Sequence, residues 1–64
     1  MSEILTTLAL RPRMRVIDRD DRTRAEHVVA AVTHPAPGTW DVSFVDTTAH
    51  ALVGARHTWL DVTA

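Results

Sequence analysis

A chain of only 64 residues that contains no cysteine has few ways to stabilise a fold. Domains of this size bury about 60% of the surface of the unfolded chain, and many of them add disulfides or a metal. Disulfides and thiolate zinc sites are excluded here because both need cysteine. We therefore expect one domain, residues 1–64, that depends on a small and tightly packed core or on a partner that completes it.

No part of the sequence indicates a membrane protein. No apolar run approaches the roughly 20 residues that a membrane-spanning helix needs. The amino terminus, Met1-Ser2-Glu3, lacks the basic region of a signal peptide. All seven basic residues are Arg, and Lys, Asn, Gln and Tyr are absent. This bias is typical of GC-rich bacteria and their phages. Because neither a membrane span nor a signal peptide is indicated, we expect a cytoplasmic protein, or one found in the host cytoplasm or the virion if a phage encodes it.

The clearest secondary-structure signal is the segment Thr39–Asp46, TWDVSFVD. Apolar and polar residues alternate along it, which predicts a half-buried strand with Trp40 in the core. The preceding run, Val28–Thr33, is rich in β-branched residues and ends at the turn sequence His34-Pro35-Ala36-Pro37-Gly38. Two apolar runs around a Pro/Gly turn predict an antiparallel hairpin.

Residues 24–33 also allow a helix. Thr23-Arg24-Ala25-Glu26 matches a capping box, and Val28, Val29 and Val32 would share one helical face. A helix there would make the protein a small α+β domain, so this alternative stays open beside the strand.

The first ten residues leave a similar choice. Ser2 could cap a short helix whose Ile4, Leu5 and Leu8 share one face. The alternation of Leu8 and Leu10 fits a strand as well.

Further short strands are predicted at residues 11–16, 50–53 and 59–62. With the hairpin they give about five strands and no βαβ unit, which indicates an all-β fold. A small meander closes most economically into a barrel, because closure removes open sheet edges. We expect a five-stranded barrel of residues 11–63 on which the N-terminal segment 1–10 packs.

The segments Arg13–Val16, Val28–Thr33 and Gly38–Asp46 together resemble the SH3-like small barrels of the KOW and Tudor kind. The resemblance implies a strand, a loop, a hairpin, a fourth strand, a tight turn and a final short strand, with a single helical turn near Arg56–Leu60. It also implies a binding role. Arg13 replaces the glycine of a KOW signature, and three aromatic residues cannot build a Tudor cage, so no functional residue is carried over.

Trp59 marks a candidate protein-binding surface. If Leu60 and Val62 point inward, the indole points outward beside His57 and Asp61, and an exposed Trp among polar groups is typical of a binding hot spot. Alternatively, the N-terminal segment folds back over the indole. The candidate protein-binding residues are Trp59, His57, Ile4, Leu5 and Leu8.

A row of arginines suggests a second surface. On one strand, Arg11, Arg13 and Arg15 would share a face at intervals of about 6.6 Å. Such mobile cations suit phosphate contacts, although interleaved carboxylates could instead neutralise them. The candidate nucleic-acid-binding residues are Arg11, Arg13, Arg15, Arg19, Arg22 and Arg24.

Catalysis and metal binding find no support in the sequence. The four histidines show no recognised metal-ligand spacing, and no nucleophile motif or glycine-rich phosphate loop is present. A barrel of this size also leaves little room for a pocket of a few hundred Å³. We expect no enzyme, no metal site, no cofactor and no small-molecule substrate.

The leading expectation is a non-catalytic module for protein–protein interaction or homo-oligomerisation. The alternatives are a nucleic-acid-binding barrel that uses the arginine row, and a phage or mobile-element accessory protein with a structural or host-inhibitory role.

Overall fold

A computed structural model describes residues 3–63 as six antiparallel strands in one open sheet. The prediction of an all-β fold is confirmed. The predicted count of five strands is wrong, because the N-terminal segment supplies a strand of its own. Along the sheet the strands follow the order β1-β6-β2-β3-β4-β5, and among residues 3–63 no pairing between β1 and β5 closes it. The strands are β1 (Glu3–Thr6), β2 (Arg15–Asp18), β3 (Glu26–Ala36), β4 (Thr39–Phe44), β5 (His50–Val53) and β6 (Thr58–Asp61).

The longest strand, β3, occupies the segment for which a helix was the alternative. Its first residues pair with β2 and the rest with β4, so this one strand joins the two halves of the sheet. A register shift between Val29 and Ala31 marks a β-bulge, which bends the strand between its two partners. The helix at 24–33 is therefore wrong. The hydroxyl of Thr23, which would cap such a helix, donates instead to the carboxylate of Asp21, and so does the backbone N–H of Thr23.

The N-terminal segment combines a strand with a short helical turn. Strand β1 pairs with β6, and a 3-10 helix at Thr7–Ala9 follows it directly. Ser2, the proposed helix cap, lies outside the described residues. No helix within residues 3–63 has the length and apolar character needed to cross a lipid bilayer.

The segment before β2 is a turn, so the expected arginine row is not a strand. The backbone N–H of Met14 donates to the carbonyl of Arg11, and Arg13 has a φ of 77°. Strand β2 begins only at Arg15. Pro12 favours this outcome, because proline fixes its own φ near the value that the second position of a turn requires.

The core consists of one residue from each central strand and one that follows the 3-10 helix. The structure decides the open alternative for Trp59 and corrects the prediction that Trp40 lies in the core. Trp59 is buried, with 1% of its surface exposed, because β6 lies between β1 and β2 and directs the indole inward. Trp40 is only half-buried, because β4 carries it past the end of the core. The buried hydrophobic residues are Leu10, Val16, Val29, Val42 and Trp59.

The connection from β5 to β6 is a tight turn. The backbone N–H of His57 donates to the carbonyl of Gly54, and β6 begins at Thr58. The tight turn is confirmed, whereas the expected helical turn near Arg56–Leu60 is wrong because most of those residues belong to β6.

Candidate binding groove

A groove of about 400 Å³ lies between the 3-10 helix and the outer half of the sheet. The expectation that a domain of this size leaves little room for such a pocket is therefore wrong. The volume falls within the range of about 300–1,000 Å³ that is typical of ligand pockets.

The N-terminal wall of the groove follows the 3-10 helix. Thr7 is fully buried, and its hydroxyl accepts a hydrogen bond from the indole N–H of Trp59 at 3.1 Å. Leu8 lies next to this anchor and remains 57% exposed. The wall is formed by Thr7, Leu8, Leu10, Arg11 and Pro12.

The opposite wall belongs to the β3–β4 hairpin. The register shifts between Thr33 and Ala36, so two residues of β3 stand opposite Trp40. One of them, His34, stacks on the Trp40 indole with a centroid distance of 4.1 Å and an interplanar angle of 5°. Pro35, the other, has no N–H to leave unpaired in this irregular position. The wall is formed by Ala31, Val32, Thr33, His34 and Trp40.

Backbone hydrogen bonds hold the two walls in a fixed relation. The N–H of Arg13 donates to the carbonyl of Val29 at 2.8 Å, and the N–H of Val29 donates to Met14 at 2.9 Å. Val29 lies two residues before the hairpin wall, so the turn that carries Pro12 is attached directly to β3. These backbone hydrogen bonds therefore fix the position of one wall of the groove relative to the other.

The lining of the groove carries a positive charge. Among the residues that the structure describes, Arg11 is the one formally charged residue that lines the groove, and no carboxylate lines it. The acidic residues of the chain lie elsewhere, although they outnumber the basic ones by eight to seven. An anionic group on a ligand would meet a cation here and no repelling charge.

His34 differs from the other histidines of the described chain. His27 bonds to Asp46 at 2.9 Å, and His50 bonds to Asp41 at the same distance. His57 bonds to Asp18 at 2.7 Å. Within residues 3–63, His34 alone has no carboxylate within 4.0 Å, and its ring contacts Trp40 instead.

One of these histidine clusters has the composition of a metal site. The ligand atoms of Asp18, Asp20 and His57 all lie within 4.8 Å of one another. Nε2 of His57 faces Asp18, however, and Nδ1 faces Asp20 at 3.6 Å. Both ring nitrogens are thus used in contacts that tie the end of β2 and the β2–β3 loop to the turn before β6, and these contacts account for the cluster without an ion.

Five of the seven arginines form two groups at opposite ends of β2, whereas Arg15 lies on β2 and Arg56 in the turn before β6. Arg11 and Arg13 precede the strand, whereas Arg19, Arg22 and Arg24 follow it. All seven arginines of the chain are exposed, and within residues 3–63 none lies within 4.0 Å of a carboxylate. The expected neutralisation by neighbouring carboxylates is therefore not seen.

The aspartates are engaged locally instead. Hydrogen bonds from the backbone N–H and the hydroxyl of Thr23 hold the pKa of Asp21 below its usual value. The side-chain hydrogen bond with His27 lowers the pKa of Asp46 in the same way. Hydrogen bonds from the hydroxyl and the N–H of Thr63 lower the pKa of Asp61.

The predicted protein-binding residues do not form one surface in the structure. Leu8 lines the groove, whereas Ile4 is 57% exposed on β1, outside it. Leu5 is half-buried opposite Trp59, and His57 is half-buried between two carboxylates. Trp59 is buried, and its indole N–H donates to Thr7 of the N-terminal segment, whereas Ile4 and Leu8 stay exposed.

The sequence interpretation missed the two rings of the groove. Alternation with Val42 and Phe44 predicts that Trp40 lies in the core, but alternation alone does not show where a core ends. The turn sequence predicts His34 in a turn. Its position before Pro35 is the available signal for an irregular strand, because proline cannot donate to the ladder.

No protein-family model, curated protein or solved structure matches this chain. The groove and the exposed arginines are therefore the observations from which a function can be inferred.

Proposed function

We propose that the protein is a non-catalytic binding module whose groove takes an extended segment of a partner protein. The observation that carries this proposal is a groove of about 400 Å³ that is lined by an exposed Leu8 and by the stacked rings of His34 and Trp40. Aromatic and aliphatic anchors in a concave site are the usual centre of a protein-binding surface.

The charge of the groove selects among partner segments. Arg11 supplies a cation, and no lining residue is acidic. A segment with apolar side chains beside a carboxylate would place each group against a matching surface, whereas a basic segment would face Arg11. We therefore propose that the partner segment contains both acidic and apolar residues.

The order of the elements supports an SH3-like barrel as the finer description of the fold. Strands β2 to β6 follow the expected series of a strand, a loop, a hairpin, a fourth strand, a tight turn and a final short strand. Strand β1 is an addition to this series and extends the sheet beyond β6.

The test uses a capped peptide of alternating leucine and glutamate, and a matched peptide with lysine in place of glutamate. Binding is followed by tryptophan fluorescence and by amide chemical shifts. We expect the acidic peptide to bind at least about tenfold more tightly, which corresponds to about 1.4 kcal/mol, and to shift the amides of the groove. Equal binding of the two peptides, or shifts elsewhere, would contradict the proposal.

Matched variants locate the site. Leu8→Ser and Trp40→Ala each remove one wall of the groove and should weaken binding of the acidic peptide by tenfold or more. Ile4→Ser removes an equally exposed side chain outside the groove and should leave binding unchanged. Arg11→Gln should reduce the preference for the acidic peptide while leaving apolar contacts intact.

Nucleic-acid binding is the second candidate, and the seven exposed arginines without carboxylate partners favour it. Polyanion binding through these side chains would weaken steeply with salt, because phosphate contacts release counterions. A salt titration with random duplex and single-stranded DNA tests this. Loss of binding in Arg13→Gln would support it, and no binding at low salt would remove it. The phage accessory role stays a prediction.

A further inference from the structure

Strand β5 is an open edge of the sheet. It pairs with β4 on one side, and within the described chain no strand pairs with its other side. An edge strand presents unpaired N–H and C=O groups, and proteins usually protect such edges with charges, proline, a bulge or a very short strand. Strand β5, His50-Ala51-Leu52-Val53, contains no acidic residue, lysine, arginine, proline or bulge, and its length of four residues is the one such device it has.

The side chain at the centre of this edge is apolar and exposed. Leu52 is 67% exposed, close to Val45 at 66% and above Ile4, on the opposite edge strand, at 57%. Leu52 stands opposite Asp41 on the outer face of the sheet, whereas Ala51 and Val53 pack against the core. An apolar side chain is thus placed beside a row of unsatisfied backbone groups.

We propose that two copies of the protein pair through β5 in an antiparallel, two-fold symmetric arrangement. In this register Leu52 stands opposite Leu52 of the second copy, so the two exposed leucines cover each other. Ala51 then stands opposite Val53 of the second copy, on the core side of both sheets. The result is one continuous antiparallel sheet across the dimer.

The composition of the edge favours a second copy over an unrelated strand. A two-fold contact requires a surface that matches itself, and here the central pair is apolar and no like charges stand opposite each other. His50 is the one titratable residue of β5, it bonds to Asp41 of its own chain, and it would face Gly54 of the second copy. The edge is only four residues long, so the contact is smaller than about 1,200 Å² and should be weak and concentration-dependent.

The first experiment measures self-association by sedimentation over a wide range of protein concentration. We expect the wild-type protein to shift from monomer to dimer as the concentration rises. Leu52→Lys should abolish the shift, because two lysines would stand directly opposite each other. Ile4→Lys, on the other edge strand, should dimerise as the wild type does. Circular dichroism confirms that both variants are folded.

A charge exchange then tests the register. Leu52→Glu alone should also stay monomeric, whereas a mixture of Leu52→Lys and Leu52→Glu should form the dimer again. A dimer that survives Leu52→Lys, a mixture that stays monomeric, or a strictly monomeric wild type would overturn the proposal. Leu8→Ser, which removes one wall of the groove and lies in the 3-10 helix, away from β5, should leave the dimer intact, so this test is independent of the proposed peptide binding.

Discussion

Arg13 holds a backbone conformation that is costly for any residue with a side chain. Its φ of 77° lies in the left-handed region, and it takes the third position of the turn Arg11–Met14, which type II turns usually give to glycine. The backbone therefore turns at Arg13 as a glycine would allow.

Replacing Arg13 with glycine should therefore stabilise the protein. The left-handed conformation costs an L-residue about 1–2 kcal/mol, and the extra freedom of glycine in the unfolded chain offsets about 0.5–1 kcal/mol of the gain. We expect Arg13→Gly to raise the free energy of unfolding by about 0.5–1 kcal/mol in urea titrations. Arg13→Ala keeps the strained Cβ and serves as the control. A glycine variant no more stable than the alanine variant would contradict this explanation.

Thr7 is the other residue on which the local structure depends. Its buried hydroxyl accepts the indole N–H of Trp59 and donates to the carbonyl of His57. Thr7→Val keeps the shape but leaves the indole N–H without a partner, which costs about 1–3 kcal/mol. We expect a lower melting temperature by circular dichroism, while Thr6→Val, at an exposed neighbouring position, should leave it nearly unchanged. Equal melting temperatures of the two variants would show that the hydrogen bond contributes little.

At the scale of the elements, β1 determines the environment of β6. It covers one side of β6 with four residue pairs and leads into the 3-10 helix that covers Trp59. Without β1, strand β6 would become an edge, and the end of the core would be open to water.

Removal of residues 1–6 should therefore expose the indole of Trp59. In a Trp40→Phe background, where Trp59 is the remaining tryptophan, its fluorescence maximum should shift to longer wavelength. We expect a loss of at least about 2 kcal/mol of stability, or roughly 8–16 °C in melting temperature for a domain of this size. A truncated protein with unchanged emission and melting temperature would show that the core closes without β1.

For the whole molecule, the hydrogen-bonded aspartates determine the response to acid. The pKa values of Asp21, Asp46 and Asp61 are lowered in the folded state. A carboxyl with a lowered folded-state pKa stabilises the fold above its unfolded pKa, and this stabilisation is lost as the pH falls through the folded value. The protein should therefore become less stable on acidification.

Urea titrations at several pH values check this prediction. The free energy of unfolding should fall as the pH drops below about 4, near the usual pKa of aspartate. Asp46→Asn removes one of the three groups and should make the fall less steep. Stability that rises on acidification would contradict the assigned hydrogen bonds.

The sequence by itself determined the class of the fold and its central hairpin. Residues 28–33 and 39–44 pair as predicted, because β-branched side chains, period-two alternation and a Pro/Gly turn all favour the same local structure. Such signals act over neighbouring residues, so they can be recognised without knowledge of the rest of the chain.

The tertiary structure alone decided which tryptophan is buried and where the groove lies. Trp59 is buried because β6 inserts between β1 and β2. The paired residues are more than 40 positions apart in sequence, so this pairing has no local signal. Trp40 is half-exposed because the sheet stays open beyond the end of the core. Burial depends on contacts between distant segments, and alternation reveals only which residues share a face, not whether that face is covered.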